Sequence, residues 1–398
     1  MKLTKILHFC VLIVTLYSCN DTDEVTYTPL PTTASYPAIE AEFGSSVDLN
    51  NLANYANQNV PSYITKDNSG LNAISDKGAT LGRVLFYDKK MSANNTISCS
   101  SCHKQEVAFS DNVVASTGVN GTTGRHSMRL INTRFATESK FFWDERALSL
   151  EIQTTMPIKD HGEMGFSGTG GDLSFNDLII KLSAVDYYKE LFKFVYGSEE
   201  ITETKIQFAL AQFIRSIQSF DSKYDSGRAS VPNDGAPFPN FTAQENQGKN
   251  LFLTPPTFNA SGVRTGGGIG CAGCHRAPEF DIDPNTRNNG IIGTISGIGI
   301  DITNTRAPSL RDLVKIDGTL NGQIMHTGVI TSLQAAIGHY GTITIAPGNT
   351  NLDPRLTPGG FGQQLNLNAT EVNAVIAFLR TLSGTDVYTN TKWSNPFN

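Results

Sequence analysis

The chain has 398 residues, with 31 Lys and Arg against 37 Asp and Glu and a formal net charge of −6. No basic excess is present to neutralise phosphates, which excludes nucleic acid as the main partner. Only 17% of the residues are charged, against about 25% in an average globular protein, so neutral polar residues must fill long loops. A hydrophobic share of 39% still supplies a core, and the length suggests two or three domains.

Lys2 and Lys5 precede a short apolar run over residues 6–17. The run is too short to cross a bilayer and fits the hydrophobic region of a secretory signal. It ends in Leu16-Tyr17-Ser18-Cys19, which resembles a bacterial lipobox whose cysteine becomes the lipid-bearing N-terminus. Residues 1–19 are therefore expected to be a lipoprotein signal peptide, with lipidation at Cys19 and with Cys10 discarded. A plain signal peptide with an incidental cysteine is the alternative. Residues 20–68 are rich in Thr, Asn, Pro and Ser and are expected to form a flexible tether. No later span is apolar enough to cross a membrane.

The remaining cysteines fall in two strings, Cys99-Ser-Ser-Cys102-His103 and Cys271-Ala-Gly-Cys274-His275. Two thiols three positions apart on a helical turn reach the two vinyl groups of one haem, and the adjacent imidazole then faces the iron. A zinc site would require further Cys or His at comparable spacing, which neither string has. A redox-active thiol pair would not require histidine at the fifth position twice. Both strings thus predict covalent haem c, through Cys99, Cys102, Cys271 and Cys274, with His103 and His275 as iron ligands. No cysteine is left for a disulfide.

The surrounding sequence repeats. Leu81-Gly82-Arg-Val-Leu85-Phe86 precedes the first string, and Gly248-Lys-Asn-Leu251-Phe252 precedes the second. Ser149-Leu150-Glu-Ile after the first matches Ser332-Leu333-Gln-Ala after the second. Apolar periodicity predicts helices over 177–196, with Leu178, Leu182, Val185, Leu191 and Phe194 inward, and over 203–220, with Ile206, Leu210, Phe213, Ile214 and Ile217 inward. A last helix is expected over 370–382, capped by Thr370 and stopped at Gly384, burying Val375, Phe378, Leu379 and Leu382. The expected fold is mainly α: two cytochrome c-like haem domains, 69–232 and 233–398, with long loops.

Residues 70–385 resemble the bacterial di-haem cytochrome c peroxidase family, which includes the MauG-type enzymes. The resemblance is carried by Thr96-Ile97-Ser98-Cys99 to His103, Phe142-Trp143-Asp144-Glu-Arg146-Ala147, Ser149-Leu150-Glu151-Ile-Gln153, and Pro157 to Glu163-Met164-Gly165. In the second half it is carried by Cys271 to His275, Ala307-Pro308-Ser309-Leu310-Arg311 and Met325-His326-Thr-Gly328. It implies a peroxidatic first haem and an electron-transfer second haem. Trp143 matches the tryptophan between the haems, and Gln153 and Glu163 match the pair in the distal pocket. Heterolysis of an O–O bond requires a proton to move from one peroxide oxygen to the other. A carboxylate in a low-polarity site suits that task because its pKa rises toward working pH.

The resemblance also bears on the distal iron ligands. The family places a sulfur or phenolate ligand shortly after His326, and that position here is Tyr340. Methionine is usual in peroxidases that draw on an electron donor, and tyrosine in the MauG type. His339 and Met325 are competitors. The repeat sets Pro157 opposite Tyr340, and proline cannot ligate iron, which leaves the first haem open on that face. His126 and His161 could plug it, although neither matches the family's plugging position. Calcium between the haems is in doubt, because the family's asparagine ligand aligns with His126 and its carbonyl ligands fall near Asn321 and Gln323.

The reading that follows is an exported, lipid-anchored periplasmic peroxidase of a Gram-negative bacterium. It would take hydrogen peroxide as acceptor and a small cytochrome c or cupredoxin as donor, and it could form a homodimer. The rivals are a MauG-like oxidase acting on Trp or Tyr of a partner protein, and a di-haem electron carrier without catalysis.

Overall fold

A computed structural model of the chain describes residues 35–397, residue 283 excepted. The expected signal peptide, Cys10, the lipidation site Cys19 and residues 20–34 of the expected tether lie outside the described residues.

Among the described residues the helices run α1 (Pro37–Phe43), α2 (Asp76–Tyr87), α3 (Cys99–Cys102), α4 (Leu150–Thr155), α5 (Phe175–Ser183) and α6 (Asp186–Tyr196). They continue as α7 (Glu203–Ser216), α8 (Lys223–Arg228), α9 (Ala243–Leu253), α10 (Leu333–Gly341) and α11 (Ala369–Arg380). Sheet is confined to two antiparallel ribbons: β1 (Pro256–Phe258) with β2 (Arg264–Gly267), and β3 (His275–Arg276) with β4 (Asp281–Ile282). The architecture is mainly α, with long loops.

Two hydrophobic cores are built on the same plan. In the first, α2 packs on α7. Ser75 caps α2 by accepting from Gly78 N–H at 3.0 Å, and every residue from Gly78 to Tyr87 is buried, as expected of a helix surrounded by core. In the second, α9 packs on α11. Gly82 sits against the Ala209 carbonyl and Phe213, and Gly248 sits against the Ala374 carbonyl and Phe378. Only a residue without Cβ lets the backbones come that close. Phe86 meets Phe213 with ring centres 5.1 Å apart, and Phe252 meets Phe378 at 5.2 Å. The repeat seen in sequence is thus a repeat of one helix-pair contact.

The chain divides between the cores earlier than expected. The first core runs through Ile217 and the second begins at Tyr224, ahead of the expected boundary at 232. The C-terminus then returns to the first core, which takes in Val387, Trp393 and Phe397. The expected tether is corrected over residues 36–68. Ile39, Phe43 and Tyr55 are fully buried, and the Glu190 carboxylate of α6 accepts from the Ala38 and Ile39 N–H groups at 3.0 Å each. That carboxylate satisfies donors that every helix N-terminus leaves open.

Three helix expectations also change. The helix expected over 177–196 is two, broken at Ala184 and Val185, and Phe192 rather than Phe194 is fully buried. The helix expected over 203–220 ends at Ser216. The last helix is capped by Asn368 rather than Thr370, in a capping box with Glu371, and ends at Arg380, short of Gly384.

Replacing Gly82 or Gly248 with alanine forces the two helix backbones of its pair apart. Each substitution is expected to destabilise the fold by about 1–3 kcal/mol, the usual cost of overpacking. Urea unfolding followed by circular dichroism measures it.

Candidate functional site

The first cysteine pair lies on α3, a single turn closed by a capping box between Ser98 and Ser101. His103 follows, and the chain then reverses through Ala108 and Phe109, both with positive φ. The reversal sets the Phe109 carbonyl 3.1 Å from His103 Nδ1. A carbonyl can only accept, so this contact favours the tautomer with the proton on Nδ1. Burial lowers the His103 pKa and favours this neutral form. Cys99, Cys102, His103, Trp143, Gln153, Pro157 and Glu163 line one cavity of about 410 Å³.

The second pair lies on a 3₁₀ turn at Cys271–Gly273. Burial holds the His275 imidazole down at about 4, so it too is neutral at physiological pH. Cys271, Cys274, His275, Met325 and Tyr340 line a second cavity of about 580 Å³. The Asn289 amide nitrogen lies 3.1 Å from Met325 Sδ and 3.4 Å from the Tyr340 hydroxyl. Burial pushes the Tyr340 phenol above its ordinary range. His339 is turned to the Asn289 carbonyl, 2.9 Å from its Nε2, and is not part of the lining.

Both cavities fall within the range of about 300–1,000 Å³ typical of cofactor sites. Each offers two thiols and, directly after them in sequence, a neutral imidazole, with His126 common to both linings. Burial pushes the Cys99 and Cys271 thiols up to about 12 and Cys102 to about 11. They are therefore protonated at neutral pH, unlike the thiolates of a zinc site or a reactive redox pair. The donor set and the space fit a haem held through thioethers and one histidine.

The repeat extends into the lining. Ser149 caps α4 and Ser332 caps α10 in the same way. From these caps, Gln153 corresponds to Ala336 and Pro157 to Tyr340, and each lines its own cavity. Upstream, Phe141 bridges to Ala147 as Ile324 does to Ile330, and Phe142 and Met325 share a φ of 71°. Trp143 therefore corresponds to His326. The two rings meet edge-on with centres 6.2 Å apart, and Trp143 lines both cavities.

Glu163 is held by its backbone. Asp160 Oδ1 accepts from the Gly162 and Glu163 N–H groups at 2.8 and 3.0 Å. Val119 N–H donates to the Glu163 carbonyl at 2.8 Å. Burial, reinforced by the Asp160 charge and opposed by Arg146, moves the Glu163 carboxyl from 4.5 to about 7. His161 lies outside the lining, exposed and 2.8 Å from Asp172. His126 lines both cavities, with Nδ1 3.0 Å from the Val113 carbonyl. An imidazole nitrogen there does not suit calcium, which takes oxygen ligands. Asn321 Nδ2 donates to the Asp312 carbonyl and the Tyr388 hydroxyl, while Asn321 Oδ1 and Gln323 Oε1 are both buried without a partner.

Arg129 and Arg306 also line both cavities. Sequence reasoning passed over them. The repeat could have marked Arg306, since alignment of the two Leu-containing loops sets it opposite His126.

These features define a mainly helical protein with two cysteine-pair and histidine cavities that share one wall. A family described as di-haem cytochrome c peroxidase matches residues 76–230. The methylamine utilization protein MauG of Methylorubrum extorquens is 30% identical over 323 residues, covering 78% of this chain and 79% of that protein. Cytochrome c551 peroxidase of Nitrosomonas europaea is 28% identical over 321 residues, covering 77% and 80%. A crystal structure of a MauG-like protein associated with microbial copper homeostasis aligns with TM-score 0.65 and 27% identity, over 85% of this chain and 99% of that one. The chain belongs to the di-haem cytochrome c peroxidase family, and the family implies two c-type haems.

A folded-state pKa raised from 4.5 to about 7 makes Glu163 stabilising only while protonated. Its contribution is complete below pH 4.5 and is lost as pH rises through 7. Relative to Glu163→Gln, the wild type is expected to lose stability across that window in unfolding titrations run pH by pH.

Proposed function

We propose that the chain is an extracytoplasmic di-haem peroxidase that reduces hydrogen peroxide in the first cavity with electrons delivered through the second. The observation that carries this reading is the Glu163 carboxyl, raised to about 7 in the same cavity as His103, Gln153 and the ligand-incapable Pro157. When bound, the haems supply the redox chemistry; the protein places and protonates.

In this reading Cys99 and Cys102 would anchor one haem and His103 would ligate its iron. Cys271, Cys274 and His275 would do the same in the second half, and Tyr340 would be the candidate further ligand in that lining. Peroxide enters the first cavity, where the Gln153 amide orients it by hydrogen bonding. Glu163 takes the proton from one peroxide oxygen and returns it to the other. A carboxyl poised near neutrality can act in both directions. Trp143, common to both linings, is the bridge for electrons. The donor is a small cytochrome c or cupredoxin, and Cys19 tethers the protein to a membrane. Among the described residues no helix is long and apolar enough to cross one.

A second reading is a MauG-like oxidase that draws its electrons from Trp or Tyr of a partner protein. Tyr340 in the second lining favours it. The two readings separate when one equivalent of peroxide is added to the fully ferric protein. An immediate optical change without prior reduction supports the MauG-like reading. Turnover only after partial reduction, with a small cytochrome as donor, supports the peroxidase. No reaction in either state removes both and leaves a carrier.

Glu163→Gln is expected to lower peroxide turnover by about 10²–10⁴, the usual contribution of a positioned acid–base group, while leaving both haem spectra intact. Stopped-flow absorbance measures both. Tyr340→Phe is expected to raise the midpoint potential of the second haem, because a phenolate donor stabilises the ferric state. An unchanged potential removes Tyr340 as a ligand.

A further inference from the structure

The wall between the cavities carries two cations that no carboxylate among the described residues pairs directly. Arg129 and Arg306 each line both cavities. They come from equivalent loops, since Met128 to Leu130 corresponds to Pro308 to Leu310, and Arg129 Nη2 donates to the carbonyl of its own repeat partner Ser309 at 3.0 Å. Neither forms an ion pair with a carboxylate among the described residues. Arg129 Nε and Arg306 Nη1 are buried without a hydrogen-bond partner. Asp312 attracts Arg129, and Glu138, Glu145 and Asp281 attract Arg306, without any reaching ion-pair distance.

A buried guanidinium without a counter-ion is costly. Burial shows its effect here by pulling both groups down to about 10. The missing partner must be anionic, must reach Arg129 Nε and Arg306 Nη1, and must be available from either cavity. Each haem carries two propionate carboxylates at one edge. Arginine offers a planar fork of donors suited to such groups.

We propose that Arg129 and Arg306 form a shared cationic bridge that pairs with propionates of both haems. The inference rests on the reading that each cavity holds a haem. Because each guanidinium faces both cavities, a charge change at one haem is felt at the other through the same two side chains. Tight packing in the wall fixes that coupling, as the Arg306 guanidinium stacks on Phe141 at 4.7 Å and its backbone N–H donates to the Trp143 carbonyl at 3.0 Å.

The test uses the haem-loaded protein and its Arg129→Gln and Arg306→Gln variants. Haem stoichiometry comes from the pyridine haemochrome, and midpoint potentials come from spectroelectrochemical titration. Loss of a cation beside a haem favours the ferric state. Each variant is expected to retain both haems and to shift both redox equilibria about tenfold toward the oxidised form, a fall of about 59 mV for one electron. A fall at one haem alone, or at neither, overturns the bridge. If the glutamine variants do not fold, Arg129→Lys and Arg306→Lys keep the charge and lose the fork. Resonance Raman propionate-bending bands of both haems are then expected to move, and bands that stay in place overturn the proposal. Wild-type protein carrying fewer than two haems would instead refute the di-haem reading itself.

Discussion

The arrangement depends on how the wall around Trp143 satisfies its buried backbone and indole groups. The indole N–H donates to the His126 carbonyl at 2.7 Å. The Trp143 carbonyl accepts from the Thr305 and Arg306 N–H groups at 2.8 and 3.0 Å, and His126 N–H donates to the His326 carbonyl at 2.8 Å. Every one of these bonds joins separate loops, and three of them join the two halves. Buried donors and acceptors must be paired, so a slide of one half against the other would orphan several at once. The cavities are held in fixed register by this requirement, and the side chains between them inherit a fixed geometry.

On that symmetric frame, chemistry differs through a few substitutions. The same capped helix places Gln153 and Pro157 in one lining and Ala336 and Tyr340 in the other. The first lining can hydrogen-bond a small polar molecule, and Pro157 brings no ligating atom to it. The second has a phenol in that place. Glu163 adds a carboxyl near neutrality to the first cavity alone. Divergent electrostatics on one repeated scaffold is how two sites of common design come to different tasks.

Much of this was legible in the chain. The Cys-x-x-Cys-His strings located both cavities, and the spacing from Ser149 and Ser332 put Pro157 opposite Tyr340. Features set by distant partners were not legible. The helix expected over 177–196 breaks at Ala184 and Val185 without a glycine or proline to mark it, and its two pieces bury Leu182 and Leu191 alike, so periodicity runs through the break. Asn368 outcompetes Thr370 as a cap because Glu371 completes the reciprocal box. Residues 36–68 read as a tether because their composition is polar. Order comes instead from Glu190 and from the pocket that takes Tyr55, more than a hundred residues away in each case. Arg129 was not legible because an isolated arginine carries no motif, and the weak repeat around Arg306 gains meaning from burial between two cavities.

The returning C-terminus bears on how the protein is made. Tyr87 of α2 donates its hydroxyl proton to the Trp393 carbonyl at 2.6 Å, and Arg83 Nε donates to the Ser394 carbonyl at 2.6 Å. Trp393 is fully enclosed in the first core, and the Tyr55 hydroxyl bonds the Lys392 carbonyl. The first half is synthesised first, yet its core lacks a large aromatic side chain until residue 393 has been added. Domains that complete their core early can fold as they emerge; this one is complete only once residues 387–397 have joined it. Until then Cys99, which packs against that core, lies beside an unfinished one.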